Sequence, residues 1–295
     1  MIKTNEKNLV KIAVEGKVAP ALAYPNEIGH DGTVHNVPAL GGITYNVLVG
    51  DPAFGWEADH VEPAVSTILN PDKRNDRPNV AYNFLACIGN EAIVTSGRAK
   101  GKKGVVTGHH GGVEHVIMDF PKSVIDKLTC DDKFQIRSFG QGLKLLDHPD
   151  VVVSSLDPAL LKKIKITAKG NKVEIDVAAT VPPELTGSGV GAVCSKTGDM
   201  DLITSDEEIL KKHGLLGLKL GDIVAIADCD ANYGWCYKKG AITIGVLIHG
   251  DSYISGHGPG ISTILTSAKG AISTKLNTNA NIGRYLGIGK FRKGK

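Results

Sequence analysis

The chain has 295 residues, 42% hydrophobic and 22% charged, which excludes a disordered protein and fits one large or two medium globular domains. Its net charge is only +3, much of it in the tail GKFRKGK (289–295), so no broad basic field makes nucleic acid the default partner. An odd count of five Cys without a CxxC excludes a disulfide framework and a zinc ribbon. With no apolar signal core and no apolar run near the ~20 residues that span a bilayer, the expectation is a soluble, reduced, cytoplasmic protein.

In chain order, Lys11–Val18 and Ile43–Val49 read as short strands, and NPDKRNDRPN (70–79) as an exposed loop. Ala81–Ile88 and Glu91–Thr95 read as strands around a Gly89-Asn90 turn. A pattern then occurs twice: a glycine-rich loop, a short strand, an amphipathic helix, a Leu-containing turn with Asp, and an apolar strand. The first copy starts at GKKGVVTGHHGG (101–112) and the second at GSGVGAVCSKTG (187–198). Pro121 suits the first position of one helix, and Ser205 with Glu208 forms a capping box for the other. Between the copies, Ser154–Lys163 reads as a helix and Ile164–Ala178 as a hairpin turning at Gly170-Asn171. Ala241–Ile248 is a further apolar strand. Strands outnumber short helices, so the expected fold is α+β and β-rich. Two barrel-like or sandwich domains, residues 1–153 and 154–295, would follow from an internal duplication.

The reactive side chains gather in a few loops. GDPAFGWEADHVEP supplies Asp59, His60 and Glu62; GHHGGVEHV supplies His109, His110, Glu114 and His115; HGDSYISGHGPG supplies His249, Asp251 and His257. His30 and His35 lie in GHDGTVHNV. Two Asp-x-Asp pairs, Asp199/Asp201 and Asp228/Asp230, each share a strand face and could chelate a cation. Imidazole with carboxylate suits a divalent metal, zinc first. The expected ligands are Asp201, Asp228, Asp230, His249, His257 and His60, with Asp59, Asp251 and His110 as acid/base candidates. The same residues also occur in ordinary polar turns. No GxSxG elbow surrounds Ser252 or Ser255, and no phosphate-loop or dinucleotide fingerprint is present, so no nucleotide cofactor is expected. Cys229 and Cys236 lack a local His partner and read as structural.

GGITYNVLVGDPAFGWEADHVEP, GKKGVVTGHHGGVEHV and HGDSYISGHGPG resemble an uncharacterised bacterial and archaeal family, a domain of unknown function, over nearly the whole chain. TGDMDL followed by ADCDANYG (within 197–236) is similar to a stretch of the acetamidase/formamidase family, with Asp201 and Asp228 on its pattern and Asp230 where that family has His. That likeness implies metal-assisted hydrolysis of a small amide-like substrate in a cleft between two β-rich halves. The alternative is a non-catalytic module binding RNA or protein. GKKGVVTG resembles the glycine turn of a ribosome-associated KOW-type barrel, with Lys100, Lys102 and Lys103 as phosphate contacts. A small-molecule substrate is the expected partner, a homo-oligomer is compatible with either reading, and a membrane is not expected.

Overall fold

The computed structural model describes residues 2–188 and 194–293. In the N-terminal half the elements are β1 (Ile12–Val18), β2 (Ala23–Ile28), β3 (Val34–Pro38), β4 (Val65–Ile68), α1 (Arg77–Leu85), β5 (Glu91–Val94), β6 (Lys103–His110), β7 (His115–Asp119), α2 (Lys122–Ile125) and β8 (Lys133–Ser138). Six of these strands close a barrel in the order β1-β4-β7-β6-β5-β8, every pairing antiparallel. Closure leaves no free strand edge. Alternation drives it: in β8, Phe134 and Ile136 point inward to meet Val106, Val116 and Met118 while Lys133 and Arg137 face out. The β2–β3 hairpin stands outside the barrel as its own two-stranded sheet.

The segment 81–88, expected as a strand, belongs instead mostly to α1. Pro78 sits in its first turn, where a missing N–H is harmless, and Tyr82 and Asn83 turn into the protein together. The Tyr82 phenol meets Thr67 Oγ1 at 2.7 Å, and its ring lies over Gly16, where a Cβ would come within 2.5 Å of the ring. Residues 43–49, also expected as a strand, contribute a single bridge, Ile43 to Val65. They belong to a long irregular connection from Ala39 to Ala64 that delivers His60 and Glu62.

The C-terminal half contains β9 (Val152–Val153), α3 (Pro158–Lys163), β10 (Ile166–Lys169), β11 (Lys172–Val177), β12 (Ala179–Val181), β13 (Thr186–Ser188), β14 (Asp199–Leu202), α4 (Glu207–Lys212), β15 (Ile223–Asp230), β16 (Cys236–Leu247), β17 (Gly260–Ser267), β18 (Ile272–Leu276) and α5 (Ile282–Leu286). The hairpin expected over 164–178 is β10–β11, joined in parallel by β18. A second sheet runs β12-β15-β16-β17-β14-β13, with β9 on β17, and curls into a nearly closed barrel. The chain is therefore β-rich α+β with two barrel-like units and short helices, as the sequence pattern implies.

Two local details differ from expectation. Asp206, not Ser205, caps α4 by accepting the Ile209 N–H at 2.9 Å. Pro121 is the cap residue of α2 rather than its first helical residue. Residues 189–193, within the second glycine loop, lie outside the described residues. No helix among the described residues is long and apolar enough to cross a membrane.

The halves are stitched together along β6 and β17. The Ser262 hydroxyl donates to the His109 carbonyl at 2.8 Å and accepts the His109 N–H at 3.1 Å, standing in for one rung of a β-ladder. Gly108 lies directly under Ile248, whose methyl would be 2.3 Å from an added Cβ. This seam fixes the end of β6, and with it His110, against the C-terminal sheet.

Candidate metal centre

The seam gathers side chains from separate parts of the chain. His60 comes from the 39–64 connection, His110 from the end of β6, Asp199 and Asp201 from one face of β14, His249 from just after β16, and His257 from the loop before β17. The i, i+2 spacing of Asp199 and Asp201 puts both carboxylates on the same face, and their register partners on β17 are Ser262 and Gly260. Gly260 must lack a side chain: a Cβ there would lie 2.0 Å from Asp199 Oδ2 and 2.3 Å from His249 Nε2.

Each of these histidines commits its Nδ1 to an acceptor. His249 Nδ1 donates to the Gly250 carbonyl at 2.6 Å and His257 Nδ1 to the Gly258 carbonyl at 2.9 Å. His60 Nδ1 donates to Asp59 Oδ2 at 2.5 Å, and His110 Nδ1 to Glu62 Oε1 at 2.7 Å. A carbonyl can only accept, so Nδ1 of His249 and His257 carries the hydrogen, and a ring with Nδ1 so committed presents an Nε2 lone pair when it is neutral. Carboxylate or carbonyl behind imidazole is the arrangement that orients histidines around metals. One ring nitrogen each of His110 and His249 and a carboxylate oxygen of Asp199 all lie within 4.8 Å of one another, a grouping that could hold one cation after a small closing movement.

The electrostatics favour a cation here. Asp59, Glu62, Asp199 and Asp201 are all at most 3% exposed, and their ion-pair partners among the described residues are all histidines. Burial alone would lower the His249 pKa, yet the Asp199 and Asp201 carboxylates on its Nε2 raise it well above the ordinary value. Burial would raise the Glu62 carboxyl, yet the His115 and His110 rings hold it well below the usual range. Burial, with the neighbouring His249, lowers His110, and burial lowers His257, so both rings favour the neutral, ligating form. His249 Nε2 can direct one hydrogen at most, toward Asp199 Oδ2 at 2.8 Å. Asp201 Oδ1, 3.1 Å from the same nitrogen, is left buried without a hydrogen-bond partner. A buried anionic oxygen without a donor is costly, and a metal ion would satisfy it.

A cavity of about 400 Å³ opens onto the cluster, lined by His60, His110, Asp199, Asp201 and His257, with Tyr24, Leu40 and the Gly111–Val113 turn. The β2–β3 hairpin contributes Tyr24 to its wall and stacks His35 on Tyr253 at 5.3 Å.

The other residues singled out from sequence fall elsewhere. Asp59 is fully buried behind His60 and also accepts Ser252 Oγ and the Ile254 N–H, both at 3.0 Å. Asp251 is buried near Gly55, away from the cavity wall, and burial raises its carboxyl to about 6. Asp228 and Asp230 stand apart from the cluster. Asp228 accepts the Gly240 N–H at 2.6 Å and Asp230 accepts from Asn232. The reason is length: β16 runs twelve residues, roughly 35 Å of extended backbone, and holds its Cys236 end away from His249. Asp228 lines a separate depression with Met200, which alternates to the opposite face of β14 from Asp201. The acetamidase-like pattern thus pairs two aspartates that the fold does not bring together. Lys103 pairs with Glu91, Lys290 with Asp51 and Arg292 with Asp119, so these cations serve the fold. All five cysteines are free, and burial pushes the Cys229 thiol up to about 11.

Three residues outside the expected site set belong to this arrangement: Asp199, Glu62 and His115. Asp199 was signalled by its spacing from Asp201. Glu62 gathers four donors, the Gly41 N–H at 2.7 Å, Ser66 Oγ at 2.5 Å, His110 at 2.7 Å and His115 at 3.0 Å. Its only sequence signal is its position two residues after His60.

Profiles described as domain of unknown function (DUF4438), N-terminal, and domain of unknown function (DUF4438), C-terminal, match residues 26–162 and 163–286. Among solved structures the chain is similar to the crystal structure of TM1086, at 46% identity over 96% of this chain and 99% of that one, with a TM-score of 0.90. No curated protein matches the chain. With both profiles matched in order and a relative similar over its full length, the chain belongs to the DUF4438 family.

Proposed function

We propose that the protein is a metal-assisted hydrolase acting on a small, amide-like molecule in the cavity between its two β-rich halves. One observation carries this reading: four imidazoles from distant parts of the chain have Nδ1 committed and meet around two buried aspartates, with Nε2 of His249 and of His257 facing their carboxylates. Ordinary polar turns have no need to gather four such rings around one point. A divalent cation, zinc first, would supply Lewis acidity toward a substrate carbonyl and toward water.

The chain's own groups supply the rest. His110, His249 and Asp199 form the ligand set, with the free oxygen of Asp201 beside it. In this reading His110 is a ligand, and Asp59 is a positioning group that holds the His60 ring. Asp251, set back from the cavity, takes the Gly55 N–H on its carboxyl, and its backbone carbonyl accepts the His60 N–H at 2.9 Å. The cavity of about 400 Å³ suits a small metabolite, and the Gly111–Gly112 turn lets substrate approach the backbone closely.

The test is elemental analysis of protein purified without chelator, for wild type and for His249→Ala and Asp199→Ala. Stoichiometric metal in wild type and its loss in both variants, followed by metal-dependent turnover in a panel of small amides and lactams, is the expected result. Wild-type protein that holds no divalent metal under any loading condition refutes the proposal.

A further inference from the structure

We propose that the centre is dinuclear, with a second cation position formed by His60, His257 and Asp201; this rests on the metal reading above. Donors to a single ion lie at most about 4.2 Å apart, twice a metal–nitrogen bond of ~2.1 Å. Among the described residues one group, His110, Asp199 and His249, has donor atoms all within 4.8 Å of one another, so that a small closing movement would seat one ion. His60 and His257 stand beside it as a separate pair.

The geometry of that pair is the main observation. His60 Nε2 and His257 Nε2 approach to 3.0 Å. Both rings have already given their Nδ1 hydrogens away, to Asp59 and to Gly258. In neutral rings the contact therefore opposes two lone pairs, which repel unless a positive charge lies between or beside them. Asp201 links the two positions: its Oδ1 is 3.1 Å from His249 Nε2 and its Oδ2 is 3.7 Å from His257 Nε2. Asp201 is 3% exposed, and its Oδ1 has no hydrogen-bond partner. A carboxylate spanning two imidazole sets is the bridging arrangement of two-metal sites, whose ions sit about 3.5–4 Å apart.

Charge balance points the same way. Four buried carboxylates, Asp59, Glu62, Asp199 and Asp201, converge here with histidines as their ion-pair partners. One divalent ion leaves half of that negative charge uncompensated when the rings are neutral; two compensate it fully.

The experiment is titration of metal-free protein with Zn²⁺ and separately with Mn²⁺. Stoichiometry is read by calorimetry and elemental analysis, and ion–ion coupling by electron paramagnetic resonance of the Mn²⁺-loaded chain. Two ions per chain with an exchange-coupled Mn²⁺ spectrum are expected. His60→Ala and His257→Ala, each checked for fold by circular dichroism, should each bind one ion and give an uncoupled six-line spectrum. One uncoupled ion in wild type overturns the second position and leaves the mononuclear hydrolase reading standing. No ion in wild type overturns both.

Discussion

Replacing Glu62 with Gln tests the logic of the centre without touching any residue that faces the cavity. Glu62 Oε1 takes His110 Nδ1 at 2.7 Å; Oε2 takes the Gly41 N–H at 2.7 Å and Ser66 Oγ at 2.5 Å. His115 Nδ1 reaches both oxygens, at 3.1 and 3.0 Å. A glutamine offers one oxygen and one amide nitrogen. If the nitrogen replaces Oε2 it confronts the Gly41 N–H, a backbone donor with no other tautomer, at a cost of about 1–3 kcal/mol. If it replaces Oε1 it confronts His110, which can move its hydrogen to Nε2. The second arrangement is favoured, and it turns an N–H instead of a lone pair toward the ligand set. Loss of such an orienting partner weakens metal binding by about 10–100-fold, or about 1.4–2.7 kcal/mol. Calorimetric titration of the metal-free Glu62→Gln protein with Zn²⁺, with circular dichroism to verify the fold, measures this directly. A folded variant with wild-type metal affinity would refute the claim that tautomer control builds the centre.

Gly260→Ala should weaken metal binding by at least 10-fold in the same titration. Its Cβ would force Asp199 Oδ2 or His249 Nε2 to move by about 1 Å from separations of 2.0 and 2.3 Å. Chelation should lower thermal stability: a ligand at 100 times its Kd contributes about 2.7 kcal/mol, so scanning calorimetry with and without chelator should differ by several degrees. Asp228→Ala and Asp230→Ala should keep wild-type metal content by elemental analysis, because their carboxylates bond to Gly240 and Asn232. Burial raises Asp222 from 3.8 to about 6, so the folded state holds its proton more tightly than the unfolded state. Stability from this group is fully present below the unfolded value and is lost as pH rises through about 6. Urea unfolding of Asp222→Asn should therefore gain on wild type by about 1–3 kcal/mol between pH 4 and 7.

Much of the fold was legible because burial pattern and backbone chemistry agreed. The Gly170-Asn171 hairpin, the alternation in β1 and the apolar run in β16 each give a local signal that tertiary structure has no reason to override. Ala81–Ile88 misleads because its apolar residues suit either period, and the deciding residue, Pro78, lies upstream. The histidine-rich loops were visible as candidates, and Asp199-x-Asp201 announced a shared face. Which of two Asp-x-Asp pairs joins the histidines was not visible. That depends on β14 pairing with β17 while β16 spans the sheet, a matter of strand order rather than of any residue. Glu62 was hidden because its importance lies in four partners spread between Gly41 and His115.

The seam between the barrel and the sheet has a consequence for how the molecule holds together. His60 and His110 come from the region matched by one DUF4438 profile, and Asp199, Asp201, His249 and His257 from the other. Neither region carries the full set, so a cation bound there would act as a reversible crosslink between two folding units. Expressed as separate polypeptides cut near the profile boundary, the halves would then associate more tightly with metal than with chelator. The ion would set the strength of an interdomain joint as well as the chemistry beside it.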